Sequence, residues 1–214
     1  MDTLPVISCD LPEAFKEILV ASLPLLQTNS INSPPDSVRM GPFTVSSKSK
    51  TSKERSKSVI CLKLAAKVNS IDAIDISHEM LKIAEKKLSM SALKNVKYSQ
   101  ADIERCSVNT IYDTVVTFSL LHLVDNVQKT LSIISSLIKP GGTFISKTVC
   151  IKERNIVMIG VIRLMTKTGF APRVYPMSTK ELILEIEKSG FEIVEVCFFD
   201  RKNMSPFIVA KRPK

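Results

Sequence analysis

From residue 58 onward, short β-branched runs alternate with amphipathic helical stretches, and this alternation leaves few architectures open. Strands separated by helices form a parallel sheet with the helices packed on its faces. Ser70 to Asp75 reads as a short strand. Ser77 then caps a helix with Glu79 in its first turn and Lys86-Lys87 near its end, which suits both poles of the helix dipole. Met80, Ile83, Ala84 and Leu88 give that helix one apolar face. Asn95 to Gln100 is the next strand, and Ile111 to Phe118 has the composition of a strand buried on both sides. Asp125 to Lys139 is predicted helical, with Val127, Leu131, Ile134 and Ile138 inward. Pro140-Gly141-Gly142 turns the chain into a strand over Thr143 to Val149, and both glycines are read as structural.

The last part changes style. Ser178-x-x-Glu181 is a capping box, and it opens a helix that Gly190 closes. Phe191 to Phe199 and Pro206 to Lys211 are strands joined by a polar turn, an antiparallel hairpin. Between the sheet and this unit, Ile151 to Met177 is an apolar, helical insertion. The fold class is therefore α/β, a mostly parallel sheet finished by a C-terminal antiparallel hairpin.

Upstream of residue 58 the pattern stops. Thr28 to Ser58 is rich in Ser, Thr, Pro, Asn and Lys and has little apolar surface to offset its ordering entropy. It is expected to be the least ordered part of the chain. Residues 11 to 26 could form one short helix, with Leu11, Phe15, Ile18 and Leu19 on one face. The chain thus divides into a divergent, partly disordered segment over 1–57 and a domain over 58–214.

Charge and cysteines narrow the partners. The net charge of +9 is concentrated in Lys48, Lys50, Lys53, Arg55 and Lys57 and in Lys211, Arg212 and Lys214. No aromatic residue interleaves with either cluster to stack on bases, so a nucleic-acid groove is not expected. Five well-separated cysteines without a C-x-x-C pair suit reduced, buried thiols, and with only two histidines no metal centre is expected. The apolar run Ile18 to Leu26 is too short to span a bilayer, and no positive segment precedes it. A cytoplasmic location is expected.

The fragments in order carry a resemblance. They are Ala73-Ile74-Asp75-Ile76-Ser77-x-x-Met80, Asn95-Val96-x-x-x-Gln100-Ala101-Asp102-Ile103, Tyr112-Asp113-x-Val115-Val116, Ser119-Leu120-Leu121-His122 and Leu137-Ile138-Lys139-Pro140-Gly141-Gly142. Together they resemble the class I S-adenosylmethionine-dependent methyltransferases, in particular small bacterial-type enzymes grouped with quinone-biosynthesis methyltransferases. The resemblance covers about residues 58 to 214. It implies a doubly wound, Rossmann-like sheet of seven strands, of which six are convincing in this sequence, and S-adenosylmethionine as cofactor.

In such a sheet, ligands bind at the carboxyl ends of the strands near the switch point. The resemblance implies that Asp75 accepts hydrogen bonds from the ribose hydroxyls and that Ile76 packs on the adenine face. It implies that Asp102 accepts from the adenine amino group, that the Ile103 backbone N–H meets the ring, and that the backbone of Ser119 and Leu120 meets the methionine part. His122, one turn on and at the mouth of the expected site, is the candidate general base, since imidazole titrates near neutrality. Asp75 and Asp102 can equally serve as turn or loop acids, Met80 as core packing, and His122 as a lining residue.

One family feature is absent. The family begins with a strand and a G-x-G loop whose bare backbone lets the cofactor approach closely. No glycine lies between Gly41 and Gly141. Counting back from Asp75 places the loop near Arg55-Ser56-Lys57-Ser58, ahead of a helix over Val59 to Lys67. The expected central strand is Phe43 to Ser46, short and polar for a strand covered on both faces. The chain is a non-catalytic relative, an altered enzyme with foreign sequence over 1–57, or an enzyme whose residues 41–58 rebuild the site.

The function these features favour is methyl transfer from S-adenosylmethionine to a small-molecule or lipid-like acceptor, with Ile156 to Phe170 forming an apolar lid. The alternative is a catalytically inactive, methyltransferase-like interaction module. Methylation of RNA draws only on the basic segments and ranks last.

Overall fold

A computed structural model describes residues 37–40, 61–105, 110–153, 160, 164, 174–198 and 205–214, and every structural statement concerns these residues. They form one seven-stranded sheet. The strands are β1 (Ser37–Met40), β2 (Ser70–Asp75), β3 (Val96–Gln100), β4 (Tyr112–Phe118), β5 (Ile138–Lys147), β6 (Glu192–Phe198) and β7 (Pro206–Lys211). Their order across the sheet is β3-β2-β1-β4-β5-β7-β6. The first five pair in parallel, and β7 runs antiparallel to both β5 and β6. The mostly parallel α/β sheet with a terminal antiparallel hairpin is thus the one expected.

The central strand is a correction. Ser37–Met40 occupies the position between β2 and β4, and Phe43 to Ser46, where that strand was expected, lies outside the described residues. The sheet therefore has seven strands where six were convincing from sequence. Four residues, Ser-Val-Arg-Met, give no alternation long enough to read locally. Their strand character comes from two parallel neighbours that satisfy the ladder on both sides. One side-chain bond also links β2 directly to β4: the Tyr112 hydroxyl donates to Asp72 Oδ2 at 2.7 Å.

Three helices cover the sheet: α1 (His78–Ser89), α2 (Val127–Leu137) and α3 (Thr179–Lys188). Ser77 caps α1 as expected, its side chain accepting from the Met80 N–H. The buried side of α1 is rotated from the expected face, because Leu81 and Ala84 are buried while Ile83 is exposed. Asn126 caps α2 and Ser178 caps α3, the latter with both halves of the capping box in place. Residues 61–65 are also helical, and Asn95 Nδ2 closes that helix by donating to the carbonyls of Ala65 and Val68, both at 2.7 Å.

Each face of the sheet has its own core. One packs Cys61, Leu64, Val68 and Ile71 against Val116, Ile145 and Phe207. The other packs Leu131, Ile134, Leu182 and Ile186 against Val115, Phe144 and Ile208. Both burials remove apolar surface from water, the main favourable term in folding.

Two further differences concern the chain around residue 140. The structure ends α2 at Leu137 and runs a strand from Ile138 through the expected Pro140-Gly141-Gly142 turn, with an irregularity opposite Tyr112 and Thr114. The end of the chain holds this stretch extended: Gly141 N donates to Arg212 O at 2.8 Å and Arg212 N to Gly142 O at 2.9 Å. The Arg212 guanidinium donates to Ser135 O at 2.8 Å and also to Ile138 O, satisfying carbonyls at the end of α2. Arg212, which the sequence shows only as part of a basic cluster, is a helix cap.

Candidate cofactor site at the strand ends

The carboxyl ends of β2, β3 and β4 meet on one edge of the sheet. Asp75, the last residue of β2, is level with Gln100, the last residue of β3. Between β2 and β4, the last residue of β1, Met40, is level with Ala73 and Val116, so the central strand stops short of its neighbours. That recess is the place where a parallel sheet accepts ligands.

Asp75 is 1% exposed, and its Oδ1 accepts from the Ser77 N–H at 2.7 Å. Its carbonyl accepts from Ala101 N at 3.2 Å, which joins the ends of β2 and β3. Ile76, the next residue, is 50% exposed. Gln100 Nε2 donates to the Ile76 carbonyl at 3.1 Å and so holds the turn from the neighbouring strand. Sequence reasoning quoted Gln100 within a motif but gave it no role; the register with Asp75 reveals one.

Asp102 Oδ1 accepts from Glu104 N at 3.1 Å and Asp102 O from Arg105 N at 3.0 Å, so this acid opens the short 3-10 turn Ile103–Arg105. The Ile103 side chain is buried in the second core and anchors that turn. Beyond β4, Ser119 has φ +55° and is the one non-glycine residue with positive φ among those described. Its N–H donates to Lys147 O at 2.7 Å, which fixes the exit of β4 against the end of β5. A left-handed serine costs conformational energy and persists because its surroundings hold it there. Leu120 is buried beside it.

His122 is placed differently from expectation. It is 8% exposed and does not stand open at a mouth. The segment leading into α3 covers it: Tyr175 N donates to His122 O at 2.8 Å, and the Tyr175 hydroxyl donates to Asp125 Oδ1 at 2.6 Å. These two contacts join residues some fifty positions apart, and no sequence motif signals them. The structure thus brings Asp75, Ile76, Asp102, Ile103, Ser119 and Leu120 to one sheet edge, with His122 buried three residues beyond Ser119. The expected lid, Ile156 to Phe170, lies outside the described residues apart from Gly160 and Leu164. Arg55 to Ser58, where the glycine loop was expected, also lies outside them. Since β1 ends at Met40, the sequence that follows it directly is Gly41-Pro42.

Among the described residues no group of three or more His, Cys, Asp or Glu side chains is placed to hold a metal ion. Among the same residues no helix is long and apolar enough to cross a membrane.

The family model described as a methyltransferase domain matches residues 56–193. The chain belongs to this methyltransferase family, and the resemblance to class I S-adenosylmethionine-dependent enzymes is borne out. A malonyl-[acyl-carrier protein] O-methyltransferase from Halalkalibacterium halodurans is 34% identical over 84 residues, covering 37% of this chain and 30% of that protein. The chain thus matches less than a third of that relative's length. Among solved structures, N-methyltransferase NodS from Bradyrhizobium japonicum WM9, in complex with S-adenosyl-L-homocysteine, superposes with a TM-score of 0.61 at 12% identity. That match covers 96% of this chain and 90% of NodS. The [4+2]-cyclase SpnF gives a TM-score of 0.65 at 15% identity, covering 94% of this chain and 80% of SpnF. At such identities the structural likeness establishes the fold alone.

Proposed function

We propose that this chain binds S-adenosylmethionine at the ends of β2, β3 and β4 and transfers its methyl group to a small-molecule or lipid-like acceptor. The observation that carries the reading is the pairing of a fully buried carboxylate, Asp75, with a half-exposed isoleucine beside it. Packing alone favours the reverse, an apolar side chain inside and an acid outside. An adenosine reconciles the two, because its ribose hydroxyls donate to a carboxylate while its base covers an apolar side chain. Asp75 takes the ribose and Ile76 the base; Asp102 accepts from the adenine amino group, and the Ile103 N–H meets the ring. Ser119 and Leu120 present backbone to the methionine end. His122 serves as general base or lines the acceptor side.

When bound, the cofactor supplies an electrophilic methyl group. The chain's part is to hold an acceptor in line with it, and positioning of that kind can supply much of the rate enhancement. We place the residues 58–214 at the centre of this domain and count β1 with them, so that 1–57 contributes at least the strand Ser37–Met40.

The methionine end is the weak point. No acidic residue closes β1, and the sequence after it offers one glycine, Gly41, before Gly141. We infer that cofactor affinity is reduced by the missing loop. The same observation favours a second reading, an inactive interaction module that keeps the fold. Calorimetric titration with S-adenosylmethionine separates them. Measurable binding weaker than low micromolar supports the first reading, and low-micromolar binding rejects the loop argument. No heat at millimolar ligand supports the second.

A further inference from the structure

We propose that Gln100 is a positioning residue for the cofactor, acting through the backbone of Ile76; this rests on the reading of the strand ends as an adenosine site. Gln100 is solvent-exposed, yet its side chain is committed: Nε2 donates to the Ile76 carbonyl at 3.1 Å across the gap between β3 and β2. A carbonyl only accepts, so the amide must present its nitrogen there. Ile76 lies between two fixed points, since Asp75 ends β2 in register with Gln100 and Ser77 N is bonded to Asp75 Oδ1 at 2.7 Å. Ala101 N, next to Gln100, donates back to Asp75 O at 3.2 Å. The turn Asp75-Ile76-Ser77 is therefore held by a backbone bond on one side and a side-chain amide on the other.

The Ile76 side chain is half exposed, so core packing constrains it less than a buried residue. Its backbone tether fixes the Ile76 main chain, and with it the origin of that side chain, before a ligand arrives. Fixing a binding group in advance reduces the ordering cost of binding. In this chain, where the loop at the methionine end is missing, such pre-organisation of the adenosine end carries more of the recognition.

The test uses the full chain and S-adenosyl-L-homocysteine as probe. Gln100→Ala should weaken binding about threefold to tenfold, the range of one net hydrogen bond, while the melting temperature stays within error. Gln100→Glu, the same size but without a donor, should lose at least as much. A double-mutant cycle with Ile76→Ala should be sub-additive, because both changes disable one element. Without ligand, Gln100→Ala should also speed amide exchange at Ser77. Equal affinity of Gln100→Ala and the unmodified chain overturns the positioning role and leaves the adenosine site standing. Additive losses with Ile76→Ala overturn the route through Ile76. Failure of the unmodified chain to bind the probe overturns both readings, whatever the exchange rates show.

Discussion

At the scale of single residues, burial separates groups that hold the fold from groups available to a ligand. Asp75 holds the fold through the Ser77 N–H that its Oδ1 accepts, and in the proposed function it also takes the ribose. Asp75→Asn keeps an acceptor for Ser77 but removes the charge. It should weaken S-adenosyl-L-homocysteine by about 1–3 kcal/mol, the loss expected for hydrogen bonds to an ionised group, with the fold retained by circular dichroism. Unchanged affinity would mean that the ribose is not read here. Cys61 belongs wholly to the fold. Its burial pushes the thiol pKa from 9.0 up to about 12, partly offset by the neighbouring Tyr98 hydroxyl. Because the folded form favours the protonated thiol, stability is full below pH 9 and falls as pH rises toward 12, while the unfolded chain ionises freely. Urea unfolding should lose about 1 kcal/mol per pH unit in that window, and Cys61→Ala should flatten the dependence. A pH-independent midpoint between pH 8 and 11 in the unmodified chain would exclude this linkage.

At the scale of elements, what was legible and what was not follow one physical division. The caps of α1 and α3 were readable because a capping serine and its partner lie within one turn, so local sequence carries the whole interaction. Strands β2, β3, β4, β6 and β7 were readable from composition. β1 was not, because its stability lies in two ladders with residues far along the chain. The Gln100 clamp, the Tyr175–Asp125 contact and the Arg212 cap were hidden for the same reason. The Pro-Gly-Gly stretch shows local signals overruled, as a turn motif is drawn into β5 by the chain end. Gly142 is the residue that permits this. A Cβ there would lie 2.6 Å from Ile138 Cγ2 and 2.8 Å from the Asp113 carbonyl oxygen. Gly142→Ala should therefore destabilise by about 1–3 kcal/mol, seen as a lowered melting temperature. An unchanged melting temperature would show that the backbone there yields freely.

At the scale of the whole molecule, the described residues form a seven-stranded sheet, but the sequence after its central strand is unlike the family's G-x-G loop. Replacing residues 41–58 with a family-like G-x-G loop should raise S-adenosylmethionine affinity at least tenfold, or ~1.4 kcal/mol. A graft that folds and binds no better would show that the native segment already does the loop's work. A separate consequence comes from strand order. β7 lies between β5 and β6, although it is the last of the three in the chain. During synthesis, β6 emerges before the strand that will join it to the sheet, so its place beside β5 must stay open. A ribosome-bound chain that stops short of residue 211 carries unsatisfied ladder groups on β5 and β6 at once. Until β7 inserts between them, β5 and β6 each present a naked strand edge, the kind of surface on which another chain can pair.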